Sequence, residues 1–491
     1  GHAFNDLQDA LDDATSGDEI WVAEGLYTPG TARSATFQLI DGVTIYGGFP
    51  DGGGDMDDRN IELYKTVLSG DVDGDDGTQP FQFNDSNAYH VVTGSGRDGT
   101  AVLDGFTITG GNADASTSPD QFGGGLLIYG TEDDVNAGSP LIRDCTFRWN
   151  SADIGGGALS YRGSPTFSHC TFWANRATSY GGGFYNTGGA SPDTPEFGGS
   201  IVQDCRFVEN TAPAWGGGSC SSNSSPSYIN CDFVANTMTG QGTGAFGGGL
   251  SIGCDDNCSG TPLVVNCTFV RNTALLGEGG GFNNESGANV EIHNSLFWMN
   301  EDSEPVIDVP DGFGQFAQIN VDAGSLLVTY SFITNMVSGG IYNRFPNVFN
   351  ISRPEPRFLQ TGFGYSDTYH SAVVIGNSRV RSGSINNDRG TNDEVPSGVT
   401  LDRDGADRIV ADEGGVTVDM GAYEFGDPYL RTKGVIDTPF SDHSFNGFID
   451  ARRERDENDV DQGINKVTLV FSEQIRDVGA GGTAETLSPS S

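Results

Sequence analysis

Six times between Cys145 and Asn300 the chain repeats one signature: an apolar residue, any residue, one of Asp, Asn or His, a small residue that is usually Cys, any residue, Phe, two more, then Asn. Copies spaced 25 to 36 residues apart mean coils that stack rather than one closed globule. The small position is Cys145, Cys170, Cys205, Cys231, Cys267 and Ser295, and two residues on stand Phe147, Phe172, Phe207, Phe233, Phe269 and Phe297. A spacing of two puts each pair on one face of a strand. Three residues before the small position come Ile142, Phe167, Val202, Tyr228, Val264 and Ile292, which an unbroken strand would turn to the opposite face. The chain must therefore bend between them.

The residue at the bend is Asp144, His169, Asp204, Asn230, Asn266 or Asn294, the non-glycine types most enriched at positive φ. One left-handed residue swings the strand round a corner and returns the next side chain to the interior. Asn150, Asn175, Asn210, Asn236, Asn272 and Asn300 sit five residues after the small position, placed for amides to hydrogen-bond from coil to coil. Between coils lie glycine triplets at 123–125, 155–157, 181–183, 216–218, 247–249 and 279–281, which suit tight bends and close backbone packing. The chain holds 73 glycines in 491 residues, but flexible linkers do not keep register with a Phe and an Asn.

Looser copies at 39–48 and 103–111, and again at 327–335, extend the pattern both ways. Short strands joined by corners make a parallel β-helix, and about a dozen turns at roughly 4.8 Å each give a rod on the order of 55 to 60 Å long. A solenoid grows along one axis, so this length does not require several globular domains.

With 67 acidic against 25 basic residues, the formal charge of −42 disfavours phosphate backbones and anionic membranes, which excludes nucleic acid as a partner. The same excess calls for a neutraliser, and Ca²⁺, which prefers oxygen ligands, is the expected structural cofactor. No apolar run reaches 18 residues, and the abrupt start at Gly1 reads as a mature or trimmed fragment. The inward cysteines read as small apolar fillers, the alternatives being disulfides or a metal between neighbours. Cys254 and Cys258 flank an acidic stretch that a local disulfide would close, which fits an extracytoplasmic setting, whereas Cys220 has no evident partner.

The opening AFNDLQDALDDATSGDEIWVAEGLYTP (Ala3 to Pro29) resembles the entry segment of secreted bacterial right-handed β-helix proteins of the pectate-lyase-like superfamily, in which a helix caps the first coil. The stretches LIDGVTIYGGFP (Leu39 to Pro50), TVLSGDVDGDDG (Thr66 to Gly77) and LDGFTITGGNAD (Leu103 to Asp114) are similar to that group as well. VDMGAYEFGDPYL (Val418 to Leu430) resembles the closing segment of the choice-of-anchor Q domain of cell-surface proteins. Over residues 3–430 the resemblance implies an all-β chain: a right-handed single-stranded parallel β-helix with an N-terminal capping helix, the cap at 1–30 and the β-helix at 31–430. The residues themselves add a short C-terminal β extension, a charged segment at 431–491 that starts an immunoglobulin-like or strand-exchange module. The resemblance also implies an extracellular or cell-surface location, and it names no reaction.

The superfamily holds polysaccharide lyases and hydrolases, whose chemistry needs particular residue sets. The polygalacturonase set, a glycine-flanked His with paired Asp, is not present. The lyase motif of Arg, any residue, Pro, two residues, Arg has only a wrongly spaced counterpart at Arg353, Pro354 and Arg357. His90, His169, His293, His370 and His443 are scattered, and neither repeat histidine, His169 or His293, looks like a general base.

Calcium candidates are better placed. Asp71, Asp73 and Asp75 alternate as in an EF-hand loop, although Asp76 replaces the glycine that such a loop requires and no acid closes it; a solvated acidic loop is the alternative. Asp442, Ser444, Asn446 and Asp450, with Gly447, resemble half of a dockerin repeat, with Arg453 where the bidentate acid belongs. Asp402, Asp404 and Asp407 form a weaker cluster that reads as a turn.

One residue beyond the inward Phe come Arg148, Trp173, Val208, Val234, Val270 and Trp298, which strict alternation turns outward. Trp173, Val208, Val234, Val270 and Trp298 are therefore candidates for a lateral interface or for sugar platforms, the alternative being cover by inter-coil loops. The strand-like run 466–475 looks like the start of an immunoglobulin-like module, and its unpaired edge is suited to pair with the rod or another copy. Taken together the sequence points to a secreted structural or adhesive surface protein whose partners are copies of itself or other surface proteins. The alternative is a carbohydrate-active or glycan-binding β-helix.

Overall fold

The structure, a computed structural model, describes residues 4–77, 79–130, 138–188, 199–240, 246–253, 260–285, 287–302, 318–321, 325–333, 349–350, 390–403, 408 and 418–422. Residues 1–427 form one compact unit, and 428–491 lie wholly outside the described residues.

Each coil contributes strands to several sheets. In the coil that opens at Leu141, the strand Leu141–Arg143 is followed by Thr146–Arg148, then Ser151–Ile154, then Ala158–Tyr161. Equivalent strands pair in parallel with the coils before and after, as Phe147 with Phe172 and Phe172 with Phe207. Among the described residues this builds four parallel sheets of 10, 11, 6 and 9 strands. The architecture is a right-handed parallel β-helix, the hand that parallel crossovers take.

The first corner forms as its residue types predict. Asp144, His169, Asp204, Asn230, Asn266 and Asn294 take φ between 48° and 55°. Their turn returns Cys145, Cys170, Cys205, Cys231 and Cys267 to the interior, where all five are buried free thiols. Behind them the phenylalanines stack face to face, with centroids 4.5 to 4.9 Å apart from Phe147 through Phe297. Offset stacking of buried rings adds about 0.5–1.5 kcal/mol per pair beyond area burial.

A second left-handed corner follows at Trp149, Ala174, Glu209, Ala235, Arg271 and Met299, with φ between 51° and 55°. These residue types have no preference for that region, so the conformation is held by the asparagine that comes next. The Asn175 side-chain oxygen accepts from both the backbone N and the Nδ2 of Asn150, each at 3.1 Å, and Asn175 Nδ2 donates to the Phe147 carbonyl at 2.9 Å. The pattern recurs through Asn210, Asn236, Asn272 and Asn300. Every one of these amides is buried.

Beyond the ladder the strand Ser151–Ile154 leads into the glycine triplet, where the chain turns into the strand Ala158–Tyr161. Gly155 takes φ +70°, and a Cβ there would lie 2.4 Å from the Ala158 carbonyl oxygen, so only glycine permits this turn. At the N-terminal end the helix Leu7–Asp13, capped by Asp6 accepting from Gln8 N, buries Leu7, Ala10 and Leu11. Leu7 and Leu11 join the main core, which confirms the expected capping helix.

Residues 390–403 form a strap along the outside of the later coils. Asn294 Nδ2 donates to the Thr391 carbonyl at 2.9 Å and its Oδ1 accepts from Thr391 N at 2.7 Å. At the other end Asn230 Nδ2 donates to the Leu401 carbonyl at 2.8 Å. Between them Val395 and Val399 pack on Ile229, Leu263 and Val265.

Candidate functional site

Two clusters of ionisable side chains stand out. In the loop that follows the strand Thr66–Ser69, carboxylate oxygens of Asp71, Asp75 and Asp76 lie within 4.8 Å of one another. The alternation in the sequence selects Asp71, Asp73 and Asp75, whereas the fold draws in Asp76, the residue in the glycine position of an EF-hand loop. Asp71 closes the turn by accepting from Gly74 N and Asp75 N. Asp76 accepts from Asn87 Nδ2, a buried amide that also donates to the Gly110 carbonyl at 2.7 Å and so ties the loop to the coil. Desolvation first, then the neighbouring carboxylates, push the Asp75 and Asp76 carboxyls above their ordinary range. All the donors that converge here are hard oxygens, the set that suits Ca²⁺.

The second cluster runs along the first corner. Asp104, buried, is bound by the guanidinium groups of Arg59 and Arg143. Both guanidinium carbons lie over the Tyr46 ring, at 5.1 and 5.9 Å from its centroid. A buried carboxylate held by two cations is satisfied, so these residues act as a clamp between coils. Beside it Asp144 and His169 are exposed on successive coils. Burial of its carboxyl and the nearby Asp104 raise the Asp144 pKa, and His169 is the largest opposing influence. His169 Nδ1 lies 2.9 Å from Ser168 Oγ, and Nε2 lies 3.8 Å from Asp204 Oδ2. The residue types and spacing of the repeat disclose Asp144 and His169, but not Arg59, which comes from a loop outside the repeat.

The outward stripe is not an open surface along its whole length. Val208, Val234 and Val270 are buried at 1%, 1% and 0% exposure, so as placed they offer nothing to a partner. The chain covers part of this face itself, since Ala422 N donates to Thr268 Oγ1 at 2.9 Å. Trp173 and Trp298 are half-buried, and Trp173 Nε1 donates to Glu209 Oε2 at 3.1 Å. Cys220 is a buried free thiol on the strand Ser219–Ser222. Cys254 and Cys258, the Asp442, Ser444, Asn446 and Asp450 loop, Arg353, Arg357 and the run 466–475 lie outside the described residues.

No protein-family model matches the chain, and no curated protein matches it. Among solved structures it is similar to a pectate lyase, Pel9A, at 13% identity and TM-score 0.39, covering 85% of this chain and 90% of that one. A pectin methylesterase from Yersinia enterocolitica is similar at 12% identity and TM-score 0.21, covering 68% of this chain and 80% of that one. Likeness of this degree carries no argument about chemistry, and the β-helix assignment rests on the sheet topology of the chain itself.

Proposed function

We propose that this chain is a secreted structural or adhesive element of a bacterial surface, a stiff spacer supported by Ca²⁺ that works with copies of itself or with other surface proteins. The observation that carries the reading is the unbroken stack. Phenylalanine and asparagine columns run in register from Phe147 and Asn150 to Phe297 and Asn300, and such a shaft resists bending because each coil is bonded to both neighbours. Asp71, Asp75 and Asp76 would hold the cation, which relieves the repulsion between them and offsets part of the −42 charge. Electron microscopy tests the reading: straight rods, single or joined, support it, and compact or bent particles refute it.

A second reading has its own observation. The exposed Asp144 and His169, beside the Tyr46 and arginine clamp, make an open polar strip along which a glycan chain could lie. Under this reading the chain is a carbohydrate-active or glycan-binding β-helix. Assays on uronate-rich and neutral polymers, with and without Ca²⁺, separate the two. Cleavage or binding lost in Asp144→Asn or His169→Ala replaces the structural reading, and inert polymers in every condition retain it.

A further inference from the structure

His293 closes the strand Asn289–His293, immediately before the corner residue Asn294 that holds the strap. It is 2% exposed, yet two carboxylates converge on it. Its Nε2 lies 3.5 Å from Glu291 Oε2, on its own strand, and 3.7 Å from Glu394 Oε2, in the strap. Its Nδ1 lies 2.6 Å from Thr329 Oγ1 on the next coil. The residue paired with it on the preceding coil, Val265, is apolar. The other ionisable group in the strap's short turn is Asp393. Among the described residues no Lys or Arg pairs with Glu291 or Glu394.

A neutral imidazole has one ring proton. With Nδ1 engaged by Thr329, at most that one hydrogen on Nε2 is available to two negative oxygens. A charged imidazolium attracts both at once; burial keeps that attraction from being screened, against the cost of desolvating the ring. Histidine is also the side chain whose charge changes between about pH 5 and pH 8. We propose that His293 and Glu394, with Glu291, form a pH-sensitive clasp that fastens the strap over the corner of the later coils. With the ring protonated the clasp is charged and the strap is held. With the ring neutral two carboxylates face an uncharged imidazole, and the strap opens more often. Opening uncovers the Asn230 and Asn294 amides and the apolar Ile229, Leu263 and Val265, so the device controls access to a surface that is otherwise covered.

Hydrogen–deuterium exchange on the full chain tests this. Exchange of the strap amides 391–401 is corrected for intrinsic rates and normalised to the central strand Arg206–Val208. The clasp requires protection of the strap to fall roughly five- to tenfold between about pH 6 and about pH 8. His293→Gln keeps a polar side chain facing Thr329 but cannot titrate, and its strap should show a flat profile. Glu394→Gln leaves His293 in place and should remove most of the pH dependence while the coils stay folded. A flat wild-type profile, or an unchanged slope in either variant, overturns the proposal.

Discussion

Asn210→Ala is the sharpest test of what holds the coils together. The Asn210 oxygen accepts from Asn175 N and Asn175 Nδ2, each at 3.0 Å. Its Nδ2 donates to the Phe172 carbonyl at 2.8 Å and to Asn236 Oδ1 at 2.9 Å. All the asparagines involved are 0% exposed. Alanine removes these four bonds and strands two N–H donors of Asn175 in the interior. A buried donor left without a partner costs about 1–3 kcal/mol, so two of them cost about 2–6 kcal/mol, against near zero if water replaced the amide freely. The left-handed Glu209, at φ 54°, loses the clamp that follows it, which adds to the effect. Stacked repeats depart from two-state unfolding, so local exchange locates this loss where a melting curve reports only the whole stack. Amides of the strands Thr171–Trp173, Arg206–Val208 and Asp232–Val234 should open roughly a hundredfold more often than in the parent. Thr171→Ala, half-buried on the preceding coil where it pairs with Arg206, should stay within about 0.5 kcal/mol. If Asn210→Ala costs no more than Thr171→Ala, the ladder is a consequence of the stack and not a cause of it.

Ca²⁺ should raise the melting temperature by a few degrees over a chelated sample, and Asp71→Asn or Asp76→Asn should abolish most of that gain; equal shifts in parent and variants would show that the ion acts elsewhere. The inward thiols should resist alkylation in the folded chain and react once it is unfolded, because burial pushes Cys145 up to about 12 and removes its thiolate at neutral pH; rapid native labelling of Cys145 or Cys205 by mass spectrometry would contradict the packing. Asp144→Asn should stabilise slightly at neutral pH, by a few tenths of a kcal/mol given its exposure, and have no effect below the ordinary carboxylate range. The sign follows from the raised carboxyl: the folded chain binds the proton more tightly, so stability falls as pH rises through that window, and the amide removes the fall. Melting curves at both pH values check it.

The parts of the fold legible in the sequence are those where residue type and local conformation agree. Asp, His and Asn at the first corner are types that tolerate positive φ, and all six take it. The cysteine, phenylalanine and asparagine columns follow from spacing alone. The second corner was not legible, because Trp149, Ala174, Glu209, Ala235, Arg271 and Met299 share no chemistry; the signal for it is the Asn one residue later. The acidic loop is visible in the sequence, but its anchor is not: the Asn87 amide that holds Asp76 comes from outside the run of carboxylates. Arg59 with Asp104, and His293 with Glu394, join residues from outside the repeat to the stack, and periodicity cannot register such pairs.

The identity of the corner residue follows from what lies outside it. A left-handed corner accepts Asn, Asp or His on conformational grounds, so conformation does not choose among them. Where the strap crosses, at Asn230 and Asn294, the amides meet backbone groups: Asn230 and Asn294 donate to strap carbonyls, and Asn294 also accepts from Thr391 N. Asp lacks the donor for the first task, and neutral His cannot offer a donor and an acceptor on one short fork. The same amides link the coils, since Asn266 donates to Asn230 and Asn294 donates to Asn266. At Asp144 and His169 the corner is open to solvent, and at Asp204 it is buried but the carboxylate accepts from Asn230 Nδ2 and Gln203 Nε2, so an ionisable side chain is accommodated at each. Replacing Asn294 by Asp tests the distinction directly: the left-handed turn is preserved, the donor to the Thr391 carbonyl is lost, and two oxygens are brought together. The strap should then detach while the Phe297 stack remains, and a strap still protected from exchange in Asn294→Asp would show that the corner residue is chosen by the turn alone.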